Sequence, residues 1–142
     1  MRAFGTLRLD PVESGLRFEA HVNDRVRFVL NSGPGVAEPS PIEALLAAAG
    51  ACTAMDVISI LRKKRMEVTS YEVALEGERR DEHPKRFTKI AMVHRVRGRN
   101  LSVAGIEEAI HLSDTKYCSV LAAIRPTVEV TSRLEVEEEP AA

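Results

Sequence analysis

Ser40-Pro-Ile-Glu-Ala-Leu-Leu-Ala-Ala-Ala-Gly-Ala-Cys-Thr-Ala-Met-Asp56 is the stretch on which the fold turns. It opens as a helix start. Ser40 fits the N-cap, Pro41 fits the first helical position, and Glu43 stands three residues after the cap, completing a capping box. The pattern predicts a helix from residue 41 to about residue 64, or about 36 Å at about 1.5 Å per residue. Residues 44–52 are apolar on all sides, so this half of the helix needs cover on every face. A single twisted sheet covers one face, and a second copy of the chain is the simplest supplier of the rest. The helix ends on Arg62-Lys-Lys-Arg65, which suits the negative pole of its dipole.

Strands flank this helix. Leu16, Phe18, Ala20 and Val22 alternate with Arg17, Glu19 and His21, a half-buried strand. Asn23-Asp24 turns it into Val26, Phe28 and Leu30, a hairpin signal, and residues 4–9 form a weaker third strand. Beyond the helix, Tyr71, Val73 and Leu75 share a face. A charged loop, Glu78-Arg-Arg-Asp-Glu-His-Pro84, separates them from the alternating Ile90, Met92, His94 and Val96. A second helical region runs from residue 103 to about 124, interrupted and recapped at Ser113-Asp114 and stopped by Pro126. Val128, Val130 and Leu134 lie on a last strand, and Glu137-Glu-Glu-Pro140 reads as a solvated tail. The order βββ-α-ββ-α-β, with no internal repeat or linker, indicates an α+β fold in one domain over residues 1–142.

Composition narrows the function classes. Hydrophobic residues make up 44%, enough for a core, while aromatic residues are only 4%, so Val, Leu, Ile and Ala must build it. The net charge of −1 gives no electrostatic footprint for nucleic acid. The N-terminus alternates and carries charge, with no apolar signal region. The longest apolar run, residues 44–51, broken only by Gly50 if Gly is counted polar, is far short of the roughly 20 residues that span a bilayer. A cytoplasmic protein without nucleic-acid or membrane partners is the expectation. His21, His83, His94 and His111 show no metal-ligand spacing, so neither metal nor cofactor is expected. Gly33-Pro-Gly35 is a turn; no Gly-Lys-Ser/Thr follows to make it a phosphate loop.

The chemistry rests on two cysteines, Cys52 and Cys118, each inside an apolar helical pattern. Two thiols held on packed helices can cycle between dithiol and disulfide, as peroxide reduction requires. The same pair could be two small buried hydrophobes, since free Cys is often buried and inert. In a reducing compartment a pair of cysteines is more often catalytic, redox-sensing or inert than a structural staple. Leu45, Ala48, Ala49 and Met55 fall near the Cys52 face by helical spacing and form a plausible apolar wall. Asp56, four residues after Cys52, disfavours a thiolate unless Lys116 or an Arg neutralises it. Tyr117 is expected to pack with its hydroxyl hydrogen-bonded.

Around these cysteines the chain resembles the OsmC/Ohr superfamily of thiol-dependent hydroperoxide-reducing proteins, in its OsmC-like branch. The resemblance is carried by residues 40–57, by Leu112-Ser-Asp-Thr-Lys-Tyr-Cys-Ser-Val120, by Ile60-Leu-Arg-Lys-Lys-Arg65 and by residues 78–88. It implies an intertwined homodimer with two central helices packed with antiparallel sheets, and sites built from both chains. It implies reduction of organic hydroperoxides in oxidative-stress defence, with Cys52 the peroxidatic thiol, Cys118 the resolving thiol and an external dithiol as reductant. Better-characterised branches add an Arg from the N-terminal strands and a Glu at the position of Ile42. Arg17, Arg25 and Arg27 are the candidates for the first, with Arg17 taken as supporting, and Glu43 stands one place late for the second. Nine residues at about 100° each put Glu43 opposite Cys52, which suits the capping role. Two rival readings keep the fold: a non-catalytic binding module for a small molecule or partner, and a thiol redox sensor.

Overall fold

Alternation in the first thirty residues folds as an antiparallel meander of β1 (Gly5–Leu9), β2 (Arg17–Val22) and β3 (Val26–Asn31). Cross-strand partners Leu7, Ala20 and Phe28 form one row of a single sheet face, and Leu9, Phe18 and Leu30 form the next. This is the apolar half of the period-two pattern. Asn23 and Asp24 both have left-handed backbones, φ 52° and 57°, which their short polar side chains tolerate, and with Arg25 they make the three-residue connection between the paired Val22 and Val26. The computed structural model describes residues 1–140, so Ala141 and Ala142 of the expected domain lie outside the described residues. The chain forms two compact units, Met1–Leu45 and Leu46–Ala142.

Helix α1 (Pro41–Lys63) starts where its cap predicts and ends one residue early. The Ser40 amide donates to Glu43 Oε1 at 3.1 Å and the Glu43 amide donates to Ser40 Oγ at 3.2 Å, the reciprocal capping box. Expected cover on every face of the Ala-rich half is not supplied by the chain itself: Ala49 and Gly50 are buried, while Ala47, Ala48 and Ala51 are exposed. Taken whole, α1 is long and apolar enough to cross a membrane, a property it shares with core helices of soluble proteins. The short run read from sequence understated this, because Gly50, Thr53 and Asp56 interrupt the run without making the helix polar.

The second unit holds β4 (Glu67–Arg79), β5 (Phe87–Arg99) and β6 (Glu129–Glu138), in the order β4-β5-β6. β4 and β5 are antiparallel, but β5 and β6 are parallel, so this sheet is mixed where antiparallel sheets were expected. The reason is the helical crossover between β5 and β6, which carries the chain back to the end of the sheet at which β5 began. All three strands outrun their apolar cores. Charged residues extend them by pairing across the sheet: Glu67 stands opposite Arg99 and Glu78 opposite Lys89, and Arg97 lies 3.8 Å from Glu137. Glu78 and Arg79 therefore belong to β4 and not to the charged loop, and Glu137 and Glu138 belong to β6 and not to a solvated tail. Beyond β6, Glu139 pairs with Arg97 at 3.2 Å. Gly98 sits opposite the β4 irregularity at 68–70, where a Cβ would collide with the Glu67 carbonyl.

The second helical region divides in three. α2 (Val103–Leu112) is capped by Ser102, whose hydroxyl accepts from the Gly105 amide at 3.0 Å. A π-helical turn, Ser113–Tyr117, follows, and then α3 (Ser119–Ile124). The interruption falls at the expected Ser113-Asp114. Val57 and Leu61 of α1, Val96 of β5, and Ile106, Ala109 and Ile110 of α2 make one buried cluster. Gly50 brings α1 onto β4: a Cβ there would lie 2.7 Å from Leu75 Cδ1. That close approach fixes the level of the α1 backbone two residues before Cys52.

Candidate active site

Cys52 lies mid-way along α1 and is partly buried. Cys118 is 4% exposed and is not inside a helix, as its apolar surroundings suggested. Its backbone is extended, φ −74° and ψ 103°, because it is the N-cap of α3, and its sulfur accepts from the Leu121 amide at 3.4 Å. The π-helical turn delivers it there: the Cys118 amide donates to the Ser113 carbonyl at 2.9 Å, five residues back. Both thiols are free, and Cys52 lies near enough to act on the Cys118 thiol. Two residues 66 positions apart in sequence are thus brought near each other.

Burial first, and then the contact with Cys52, push the Cys118 thiol up to about 11. The Leu121 amide pulls the other way, and the charges of Cys52 and Asp56 add to the rise. Cys118 is therefore a thiol at neutral pH, which counts against it as the group that attacks first.

Asp56 does not meet Lys116, the neutralising partner that its position suggested. Its Oδ2 accepts from the Ser113 hydroxyl at 2.8 Å, and Ser113 Oγ lies 2.9 Å from Thr53 Oγ1. Lys116 lies over the Tyr117 ring at 5.3 Å instead. Tyr117 is 51% exposed, so it is not the packed residue that was expected. Of the apolar wall, Ala49 is buried, while Met55 and Ala48 are exposed. Ser113 and Thr53, both fully buried, escaped the sequence reading. The one available signal was the recapping Ser at the helix break, which reads equally well as an ordinary cap.

A second polar cluster crosses the sheet nearby in sequence. Fully buried His94 on β5 has Nδ1 2.8 Å from the Tyr71 hydroxyl. Asp114, next to Ser113, accepts from Ser132 Oγ at 3.1 Å and lies 3.8 Å from Arg125. Among the described residues, His94 Nε2 and Asp114 Oδ1 have no hydrogen-bond partner. Burial holds His94 below the ordinary histidine range, against the opposing pull of Asp114. No group of three or more His, Cys, Asp or Glu suited to a metal occurs among the described residues.

The supporting residues lie in the first unit. Glu43 is committed to the Ser40 cap, whose hydrogen bonds hold its carboxyl below the usual range. Arg17 is shared among three carboxylates, Glu38 at 3.2 Å, Glu19 at 3.4 Å and Asp10 at 3.7 Å.

The family described as OsmC-like protein matches residues 33–133. Protein YhfA of Escherichia coli (strain K12) is 41% identical over 122 residues, covering 86% of this chain and 91% of YhfA. A crystal structure of a hypothetical protein from Aquifex aeolicus VF5 superposes with a TM-score of 0.85 at 30% identity, covering 99% of each chain. An organic hydroperoxide resistance protein OsmC from Legionella pneumophila shares the fold, with a TM-score of 0.65 at 15% identity over 96% of this chain and 98% of that one.

Proposed function

Because the chain belongs to the OsmC-like protein family, we propose that it acts in oxidative-stress defence as a thiol-dependent reductase of organic hydroperoxides. The observation that carries this reading is the proximity of two free thiols, Cys52 and Cys118. The Cys52 thiolate attacks one oxygen of the hydroperoxide: an S–O bond forms, the O–O bond breaks, and the alkoxide leaves and takes a proton as the alcohol. Cys118 then attacks the Cys52 sulfenic acid. The S–S bond forms, the S–O bond breaks, and the Cys118 proton leaves with the hydroxide as water. An external dithiol reduces the disulfide by thiol–disulfide exchange.

The working unit in this proposal is a homodimer of single OsmC-like domains. The exposed Ala47, Ala48, Ala51 and Met55 on α1 support it, since one contiguous apolar strip of that kind is seldom left open to water. A second copy over this strip would also enclose the approach to Cys52 and give an alkyl hydroperoxide an apolar wall. Arg17 and Glu43 are the proposed supporting residues.

One observation favours the non-catalytic reading. Arg17 is already neutralised by Glu38, Glu19 and Asp10, and Glu43 is engaged in its cap. A guanidinium so neutralised has little field left for a thiolate. Turnover of cumene hydroperoxide by the reduced protein with dithiothreitol decides between the readings. Catalytic alcohol formation supports the peroxidase. A single stoichiometric oxidation without turnover identifies a redox sensor, and no oxidation at all leaves the binding module.

A further inference from the structure

Asp56 stands one turn after Cys52 on α1, and Ser113 is the first residue of the π-helical turn that ends at Cys118. Ser113 is bonded both to α1 beside Cys52 and to the backbone of Cys118. Its hydroxyl donates to Asp56 Oδ2 at 2.8 Å, so the contact with Thr53 at 2.9 Å is one in which Thr53 donates. Its carbonyl accepts from the Cys118 amide at 2.9 Å. The far side of the turn is tied separately, through Asp114 to Ser132 at 3.1 Å and to Arg125 at 3.8 Å. Packing alone would be served by an apolar residue at 113; a fully buried hydroxyl and a carboxylate beside it carry a desolvation cost instead.

We propose that Asp56 and Ser113 are positioning residues for the dithiol pair: Ser113 docks the π-helical turn on α1 so that Cys118 closes on Cys52, and the Asp56 carboxylate that anchors Ser113 adds a restraint on how readily Cys118 attacks. The charge of Asp56 bears on Cys118 in the direction of the thiol, together with that of Cys52. Docking and charge therefore act in opposite senses. The bond to Ser113 favours closure by placing the sulfur; the carboxylate slows it by disfavouring the thiolate. The proposal rests on the dithiol reading for its role in turnover, but closure of the pair can be followed with no peroxide present.

Diamide provides that route. One thiolate adds across its N=N bond, the second thiol displaces the adduct to form the disulfide, and the diazene leaves as the hydrazine with the two electrons and two protons. The reduced full-length protein, Ser113→Ala and Asp56→Asn are each treated with diamide at pH 7, and closure is followed by mass spectrometry. Iodoacetamide labelling of Cys118 is measured against pH in parallel. Ser113→Ala is expected to close about tenfold more slowly, the size of a lost hydrogen bond to a charged group. Asp56→Asn keeps an oxygen for Ser113, and is expected to close faster with a lower midpoint for Cys118 labelling. If both variants close more slowly, the pair is a brace without a hold on reactivity and the proposal fails. It fails equally if both match the wild type, or if the wild type forms no 52–118 disulfide. Should Ser113→Ala not fold, the direction of the Asp56→Asn change decides alone. Diamide closure without hydroperoxide turnover would overturn the peroxidase reading and leave this inference standing.

Discussion

Cys52 lies near enough to Cys118 to act on its thiol, the first carried mid-way along α1 and the second at the N-cap of α3. A helix backbone holds one sulfur and a capped turn holds the other, so the pair is preorganised without being cross-linked. Treatment of the reduced protein with one equivalent of cumene hydroperoxide is expected to give an intrachain 52–118 disulfide. Peptide mapping checks it, and separate alkylation of both thiols after oxidation would refute it.

The two thiols should fail differently when removed. Cys52→Ser is expected to abolish hydroperoxide reduction, because the step that breaks the O–O bond is lost. Cys118→Ser should perform one round and stop, leaving Cys52 as a sulfenic acid that dimedone traps. Organic hydroperoxides should react faster than hydrogen peroxide, since an alkyl tail buries apolar surface at about 25 cal/mol per Å². Equal rates with both oxidants would remove the apolar wall from the account.

Cys52→Ala should also change its partner. It deletes both the thiol–thiol contact and the Cys52 charge, leaving burial, the Leu121 amide and Asp56 to act on Cys118. The midpoint of Cys118 alkylation is expected to fall below the value of about 11. An unchanged midpoint would mean that burial alone sets it.

His94 links stability to pH. Burial holds its folded-state value below the ordinary 6.5. Between those two values the unfolded chain binds more protons than the folded one, so stability falls as pH drops through the ordinary histidine range. Thermal midpoints from pH 8 to pH 5 should decline for the wild type and decline less for His94→Gln, which leaves an acceptor for Tyr71 but cannot titrate. Parallel curves would assign the pH dependence to other groups.

The core and the assembly are testable without chemistry. Leu61 is fully buried between α1, β5 and α2, and Leu61→Ala is expected to cost about 2–5 kcal/mol in denaturant unfolding. Sedimentation equilibrium should give about twice 15.7 kDa for the wild type. Met55→Glu, which puts a charge on the exposed strip of α1, should weaken that dimer. A wild-type species of 15.7 kDa would sink the dimer proposal.

Local signals in the sequence determined the elements. The Ser40-Pro41-Glu43 cap set the start of α1, alternation set the strands, and Asn23-Asp24 set the hairpin, because each depends on neighbours within a few residues. The two cysteines were legible as candidates for the same reason. Tertiary structure decided what those local signals could not. Strand ends went beyond the apolar runs because Glu67, Glu78 and Glu137 find their partners Arg99, Lys89 and Arg97 only across the sheet. β6 lies parallel to β5 because of where the crossover returns. Cys118 left its apparent helix for a cap because the π-helical turn is held by Ser113 on α1 and by Asp114 on β6, contacts 57 and 18 residues away in sequence. Such contacts are invisible to any window that spans one element, and they put Cys118 beside Cys52.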